Sequence, residues 1–167
     1  MKKYFAALAL MIPTAVVLGS SAAADETPNK KSIERGRYLT VVGGCNDCHT
    51  DGYAQSAGNI PESERLMGSA VGFNGPWGTT YPKNLRLLVQ SMSETQWLAH
   101  ARVERRPPMP WFNLREMKDD DLRALYQYVK SLGAKGNPAP EYVPPAQTVS
   151  TPYIEFFPKN LPAQAAR

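Results

Sequence analysis

Cys45-Asn46-Asp47-Cys48-His49 is the stretch whose residue types and spacing point most directly to chemistry. Two cysteines at i and i+3 leave one helical turn towards one face, and the following histidine projects from the same turn. In this pattern two thiols add to the two vinyl groups of a haem while the histidine ligates its iron. The chain holds only these 2 cysteines. A thioredoxin-like redox pair would need a strand before the motif and a βαβ surround, where a short Gly-rich helix stands instead. A zinc site would have to combine adjacent Cys48 and His49 with distant His100, an awkward tetrahedron. A plain disulfide across two intervening residues is the remaining alternative. One covalently bound haem c is the expected cofactor.

Six-coordinate haem iron takes a second protein ligand, and a soft thioether is the usual one in an electron carrier. The chain has 6 methionines. Met1 and Met11 fall in an N-terminal leader, Met92 stands at a helix entry, and Met67 and Met117 suit core filling. Met109 stands apart in Arg105-Arg106-Pro107-Pro108-Met109-Pro110-Trp111. Proline on both sides fixes φ and removes amide donors, giving a stiff strap that holds one sulfur in place. His49 and Met109 are therefore the expected metal ligands. Met67, Met117 and His100, the last in mid-helix beside Trp97, are the competitors.

The elements that must position these groups are short. Residues 32–44 read as an amphipathic helix with Ser32 as N-cap and Gly43-Gly44 as its stop. Residues 50–86 are rich in Gly and Pro and read mostly as loop. A helix starts at Ser93 with Gln96 three residues on, a capping box, and Met92 and Trp97 occupy the positions of a hydrophobic staple. Pro107-Pro108 ends it near Arg105. The last helix carries Asp119, Asp120 and Asp121 at its N-terminus, apolar Leu122, Leu125, Tyr126 and Val129 at helical spacing, and Gly133 beyond it. From Asn137 onward the prolines preclude a further helix. Tyr142, Val143, Tyr153, Ile154, Phe156 and Phe157 are too apolar for a free linker, so this extension is expected to lie on the domain surface.

Met1-Lys2-Lys3, the apolar run from Tyr4 to Leu18 and the small residues Ala22-Ala23-Ala24 have the order of a secretory signal peptide cleaved before Asp25. The expected layout is a signal peptide over 1–24, a haem domain over 25–136 and a Pro-rich C-terminal extension over 137–167. Export implies a periplasmic location with no membrane span left after cleavage. The 167 residues are 43% hydrophobic and 20% charged, which permits a packed core and argues against wholesale disorder. A formal charge of +4, evenly scattered, gives no case for nucleic acid.

Three segments carry a family resemblance. They are Arg35-Gly36-Arg37-Tyr38-Leu39 leading into the Cys-His motif, Gly75-Pro76-Trp77-Gly78-Thr79-Thr80-Tyr81-Pro82-Lys83-Asn84-Leu85, and Pro108-Met109-Pro110-Trp111 followed by Asp121-Leu122 and Ala124-Leu125-Tyr126. The chain resembles a class I c-type cytochrome, and within that class the cytochrome modules of periplasmic dehydrogenases. The resemblance implies an all-α fold of short helices and long loops wrapped around one covalent haem. It implies thioether bonds at Cys45 and Cys48, His49 and Met109 as axial pair, and first and last helices crossing at Gly36, near Leu125 or Tyr128. It also makes Trp77, Thr79, Thr80, Tyr81 and Asn84 candidate donors to the haem propionates, against a reading as ordinary turn residues. Arg102, Arg105 and Arg106 read either as a docking face for an acidic partner or as a solvated helix face.

With both axial positions filled, the expected role is single-electron transfer rather than catalysis. The partners would be redox proteins, a donor dehydrogenase and an acceptor oxidase or cytochrome. Two alternatives remain: an electron-transfer subunit of a dehydrogenase complex, and a haem sensor or enzyme whose Met ligand dissociates.

Overall fold

A computed structural model describes residues 29–160. The expected signal peptide, residues 1–24, lies outside the described residues, as do the last residues, 161–167. Helix α1 spans Lys30–Val42 and starts earlier than expected, because Asn29 rather than Ser32 is its N-cap and accepts from the Lys31 amide at 3.0 Å. Both types cap well, so local chemistry did not choose between them. Helix α2, Cys45–His49, follows after left-handed Gly44.

Three short helices, α3 (Leu85–Gln90), α4 (Glu94–Ala101) and α5 (Trp111–Glu116), precede the long α6, Asp119–Ser131. The capping box at α4 is present: the Gln96 amide donates to Ser93 Oγ at 3.2 Å and the Ser93 amide to Gln96 Oε1 at 2.8 Å. This helix stops at Ala101, short of Arg105, as Arg102 and Val103 turn back to the carbonyls of Ala99 and His100. Leu39, Leu66, Val89, Trp97, Leu122 and Leu125 form the core between these helices. The buried Trp97 indole donates to the Leu122 carbonyl at 2.8 Å, locking α4 on α6. On the other side, buried Arg86 of α3 donates to the carbonyls of Leu132 and Gly133, where the negative end of α6 favours a cation.

The described chain is mainly helical, yet the all-α expectation leaves out a small three-stranded sheet ordered β2-β1-β3. Strands β1 (Gly72–Gly75) and β2 (Gly78–Thr80) form an antiparallel hairpin, and β3 (Tyr153–Glu155) joins β1 in parallel with Phe73 opposite Ile154. Thr79 and Val143 also exchange backbone hydrogen bonds of 2.8 and 3.0 Å. At Gly78, with φ of +93°, an added Cβ would lie 2.4 Å from the Val143 carbonyl oxygen. The Pro-rich extension is thus tied to the hairpin by its backbone, while Tyr153, Ile154, Phe156 and Phe157 keep their side chains exposed.

Of the described glycines, Gly36 at the crossing of α1 and α6 has the closest neighbour. A Cβ at Gly36 would sit 2.0 Å from the Ala124 carbonyl oxygen and 2.7 Å from Tyr128 Cβ. Tyr128 is one of the expected neighbours; Ala124, through its backbone, takes the place expected for Leu125. Backbone cannot yield as a flexible side chain can, so Gly36→Ala should cost about 3 kcal/mol, measured by denaturant unfolding. A loss below about 0.5 kcal/mol would show that the helices slide apart freely at this point.

Candidate functional site

One cleft of about 840 Å³, walled chiefly by apolar side chains, is lined by Cys45, Cys48 and His49 of α2 and by Met109 of the segment before α5. Its floor is made by core residues such as Trp97, Ala101, Leu125 and Val129. The volume lies in the range of small-molecule and cofactor sites.

The Cys-His turn is clamped by groups that the motif itself does not announce. Buried Asn46, between the cysteines, donates to the Thr40 carbonyl of α1 at 3.2 Å and accepts from the Thr50 hydroxyl at 2.8 Å. Thr50 Oγ1 in turn accepts from the Leu66 amide at 2.8 Å. The Gly68 amide donates to the His49 carbonyl, also at 2.8 Å. His49 Nδ1 donates to the Lys83 carbonyl at 2.8 Å, which fixes the tautomer and leaves Nε2 as the free lone pair. Burial pushes the His49 imidazole below its ordinary value, so it is held in the neutral, ligating form. Both thiols are free, and burial raises the Cys45 thiol to about 11. Among the described residues no three His, Cys, Asp or Glu side chains converge to hold a metal ion, as the zinc reading would require.

Of the methionines, Met67 lies away from this cleft, in a smaller hollow beside Gly136. Met109, Met117 and His100 all line the cleft. Met117 is at the same time packed against the hydrophobic core, and His100 stacks on Trp97 at 6.3 Å between ring centres. Met109 is not part of that core packing. It sits on a strap tied to the hairpin where Thr80 Oγ1 donates to the Pro107 carbonyl at 2.9 Å, and turned into α5 where the Trp111 amide donates to the Met109 carbonyl at 2.8 Å.

The loop expected to face the propionates has most of its polar groups engaged within the protein. Asn84 is buried outside the cleft, where it accepts from the Leu87 amide as N-cap of α3 and donates to the carbonyls of Lys135 and Asn137. Tyr81 and Thr80 do line the cleft, yet the Tyr81 hydroxyl lies 2.6 Å from Thr151 Oγ1 and the single Thr80 proton goes to Pro107. Thr79 is buried outside the cleft and accepts from Asn74. Trp77 also lies outside the cleft, and its indole N–H is buried without a partner. Of the five candidate propionate donors, Thr80 and Tyr81 thus line the cleft, while Thr80, Asn84 and Tyr81 fasten the strap, helix α3 and the C-terminal extension to this loop.

Cleft residues that sequence reasoning missed include Phe73, Pro140 and Tyr142, along with Asn46 behind the motif. Pro140 and Tyr142 come from the extension, and no local pattern in a Pro-rich stretch tells which aromatic turns inward. Replacing buried Asn84 with Ala removes a helix cap and two tethers on backbone carbonyls, and should cost about 2 kcal/mol in denaturant unfolding. The chain beyond Lys135 should also become easier to cleave by limited proteolysis. An unchanged cleavage pattern would show that Asn84 does not hold the extension.

The cytochrome c family model matches residues 33–133, which include the Cys-His turn and Met109. The chain is 23% identical to the fructose dehydrogenase cytochrome subunit of Gluconobacter japonicus, over 76% of this chain and 28% of that protein. It is 29% identical to the gluconate 2-dehydrogenase cytochrome c subunit of Pantoea cypripedii, over 68% of this chain and 27% of that protein. The chain therefore spans just over a quarter of the length of these curated relatives. No solved structure matches it significantly. The residues present fit a covalent haem: two free thiols on one turn and an oriented neutral imidazole open into a single apolar cleft. The chain belongs to the cytochrome c family and is an electron-transfer protein built for one covalently bound haem c.

Proposed function

We propose that this protein is a periplasmic mono-haem electron carrier with His49 and Met109 as axial ligands and no catalytic activity of its own. The observation that carries the reading is the convergence of Cys45, Cys48, His49 and Met109 on one apolar cleft. Thioether bonds at the two cysteines would anchor the haem, and the fixed tautomer of His49 would present Nε2 to the iron. Met109, on a strap that prolines stiffen, has little freedom left to lose on ligation. With both axial positions filled, the protein's share is to exclude water, hold the ligands and tune the potential. The 1–24 segment would direct export, 25–136 would form the haem domain, and 137–167 would be an extension fastened to it.

A second reading has its own support. The curated relatives are cytochrome subunits of dehydrogenases, so this chain would deliver electrons from such a catalytic subunit to an oxidase or another cytochrome. Among the described residues no helix is long and apolar enough to cross a membrane.

The purified exported protein should keep its haem mass through denaturation and acid extraction, and its mature N-terminus should be Asp25. A polypeptide without haem mass would sink the proposal. Met109→Ala should leave the haem attached, abolish the sulfur-to-iron charge-transfer band, lower the potential and open the iron to carbon monoxide. Met67→Ala, Met117→Ala and His100→Ala should each keep the band. If one of these loses it while Met109→Ala retains it, the axial assignment is wrong; if the wild type lacks it and binds carbon monoxide readily, a sensor or enzyme is the better reading.

A further inference from the structure

The three arginines before the methionine strap part company in the structure. Arg102 is committed: it pairs with Asp119 and donates to the Arg115 carbonyl at 2.6 Å. Arg105 and Arg106 line the cleft, and among the described residues neither has a carboxylate within ion-pair distance. Arg105 donates one N–H to the His100 carbonyl at 2.7 Å, which fixes its stem and leaves the rest of the fork available. Arg106 lies with its guanidinium carbon 4.1 Å from the centre of the Tyr142 ring. Tyr142 is itself pinned, its hydroxyl donating to the Trp77 carbonyl at 2.7 Å. The guanidinium groups of two successive residues thus stand at an apolar cleft with no carboxylate in ion-pair contact among the described residues. Burial pushes Arg105 below its ordinary value, as expected for a cation lacking an anion.

We infer that Arg105 and Arg106, the latter braced by Tyr142 of the C-terminal extension, form the anion site that takes the carboxylates of the bound group, the haem propionates. The inference rests on a haem occupying this cleft. Haem brings two carboxylates, and a guanidinium fork matches a carboxylate in both charge and shape. The other candidates along the cleft do not supply that charge. Lys83 pairs with Glu141 at 3.3 Å, Glu104 has the wrong sign, and burial together with Arg105 holds His100 towards its neutral form. The hydroxyls of Thr80 and Tyr81 are engaged with Pro107 and Thr151, and Trp77 offers one N–H from outside the cleft. The extension would then set the potential of the haem through Arg106, and not merely cover the domain.

The test is redox titration of the haem-loaded protein between about pH 5 and 8, comparing wild type with the Arg105→Leu/Arg106→Leu double variant. In the wild type, paired propionates stay ionised and the potential is nearly flat across this window. In the double variant the potential should fall, because cations that favour ferrous haem are gone. It should also become pH-dependent, decreasing as pH rises, since an unpaired propionate titrates in the window and binds its proton more tightly when the iron is reduced. Tyr142→Leu should shift the same way by less, and Arg106→Lys should restore most of the wild-type behaviour. Arg102→Leu changes the net charge by the same amount as one cleft arginine and should leave the profile flat. A flat profile in the double variant would overturn the inference, as would a pH dependence produced instead by Trp77→Phe or equally by Arg102→Leu. A flat profile with slowed electron exchange against an acidic partner would return the two arginines to a docking face. Haem mass and the sulfur-to-iron band, read on the same samples, separate failure of this inference from failure of the haem reading.

Discussion

Where α1 passes over α6, the backbone of Ala124 occupies the space in which any side chain at position 36 would stand. That approach fixes the axis of α1, and the axis of α1 fixes where Cys45 begins, directly after Gly43-Gly44. Asn46 then hangs the motif from the Thr40 carbonyl, while the Lys83 carbonyl turns the His49 ring. The reactive groups therefore sit on a helix of only five residues, too short to hold itself together, whose position is dictated from outside. A change at Gly36, far from any reacting atom, bears on the cofactor through this chain of contacts.

The segment from Trp77 to Asn84 acts as a mounting plate. Its polar groups face three ways: Thr80 to the methionine strap, Asn84 to α3 and the carbonyls after α6, Tyr81 and the Trp77 carbonyl to the extension. Hydrogen-bonding residues beside the cleft thus hold its walls to one another. Each has few donors, and a donor proton already within 3 Å of a carbonyl is not free for another acceptor. Charge is distributed by the same logic, with the arginines facing the cleft directly.

Much of the helical frame was legible because its signals are local. The Ser93–Gln96 box and the acidic start of α6 lie within one turn of what they stabilise. The two cysteines, His49 and Met109 could be read from spacing and from proline chemistry, and all four line one cleft. Short α3 and α5 escaped notice, since six residues give little more than one helical period. The sheet was not legible at all. Gly72–Gly75 and Gly78–Thr80 have turn composition, and the partner strand at Tyr153 lies some eighty residues later, so pairing could be seen only in three dimensions. The tethers made by Thr80, Tyr81 and Asn84 were not legible for a related reason: residue types reveal what a side chain can donate, but not what stands opposite it.

The family pattern ends at Gly133, yet Pro140 and Tyr142 help to wall the cleft and β3 completes the sheet. The evolutionary unit and the folding unit are therefore not the same length. A chimera that borrowed only the stretch matching the family would arrive with one side of its cofactor open to water, with Thr79 unpaired along its backbone and Tyr81 missing the hydroxyl it meets. Grafting this electron carrier onto another enzyme means moving its proline-rich arm as well.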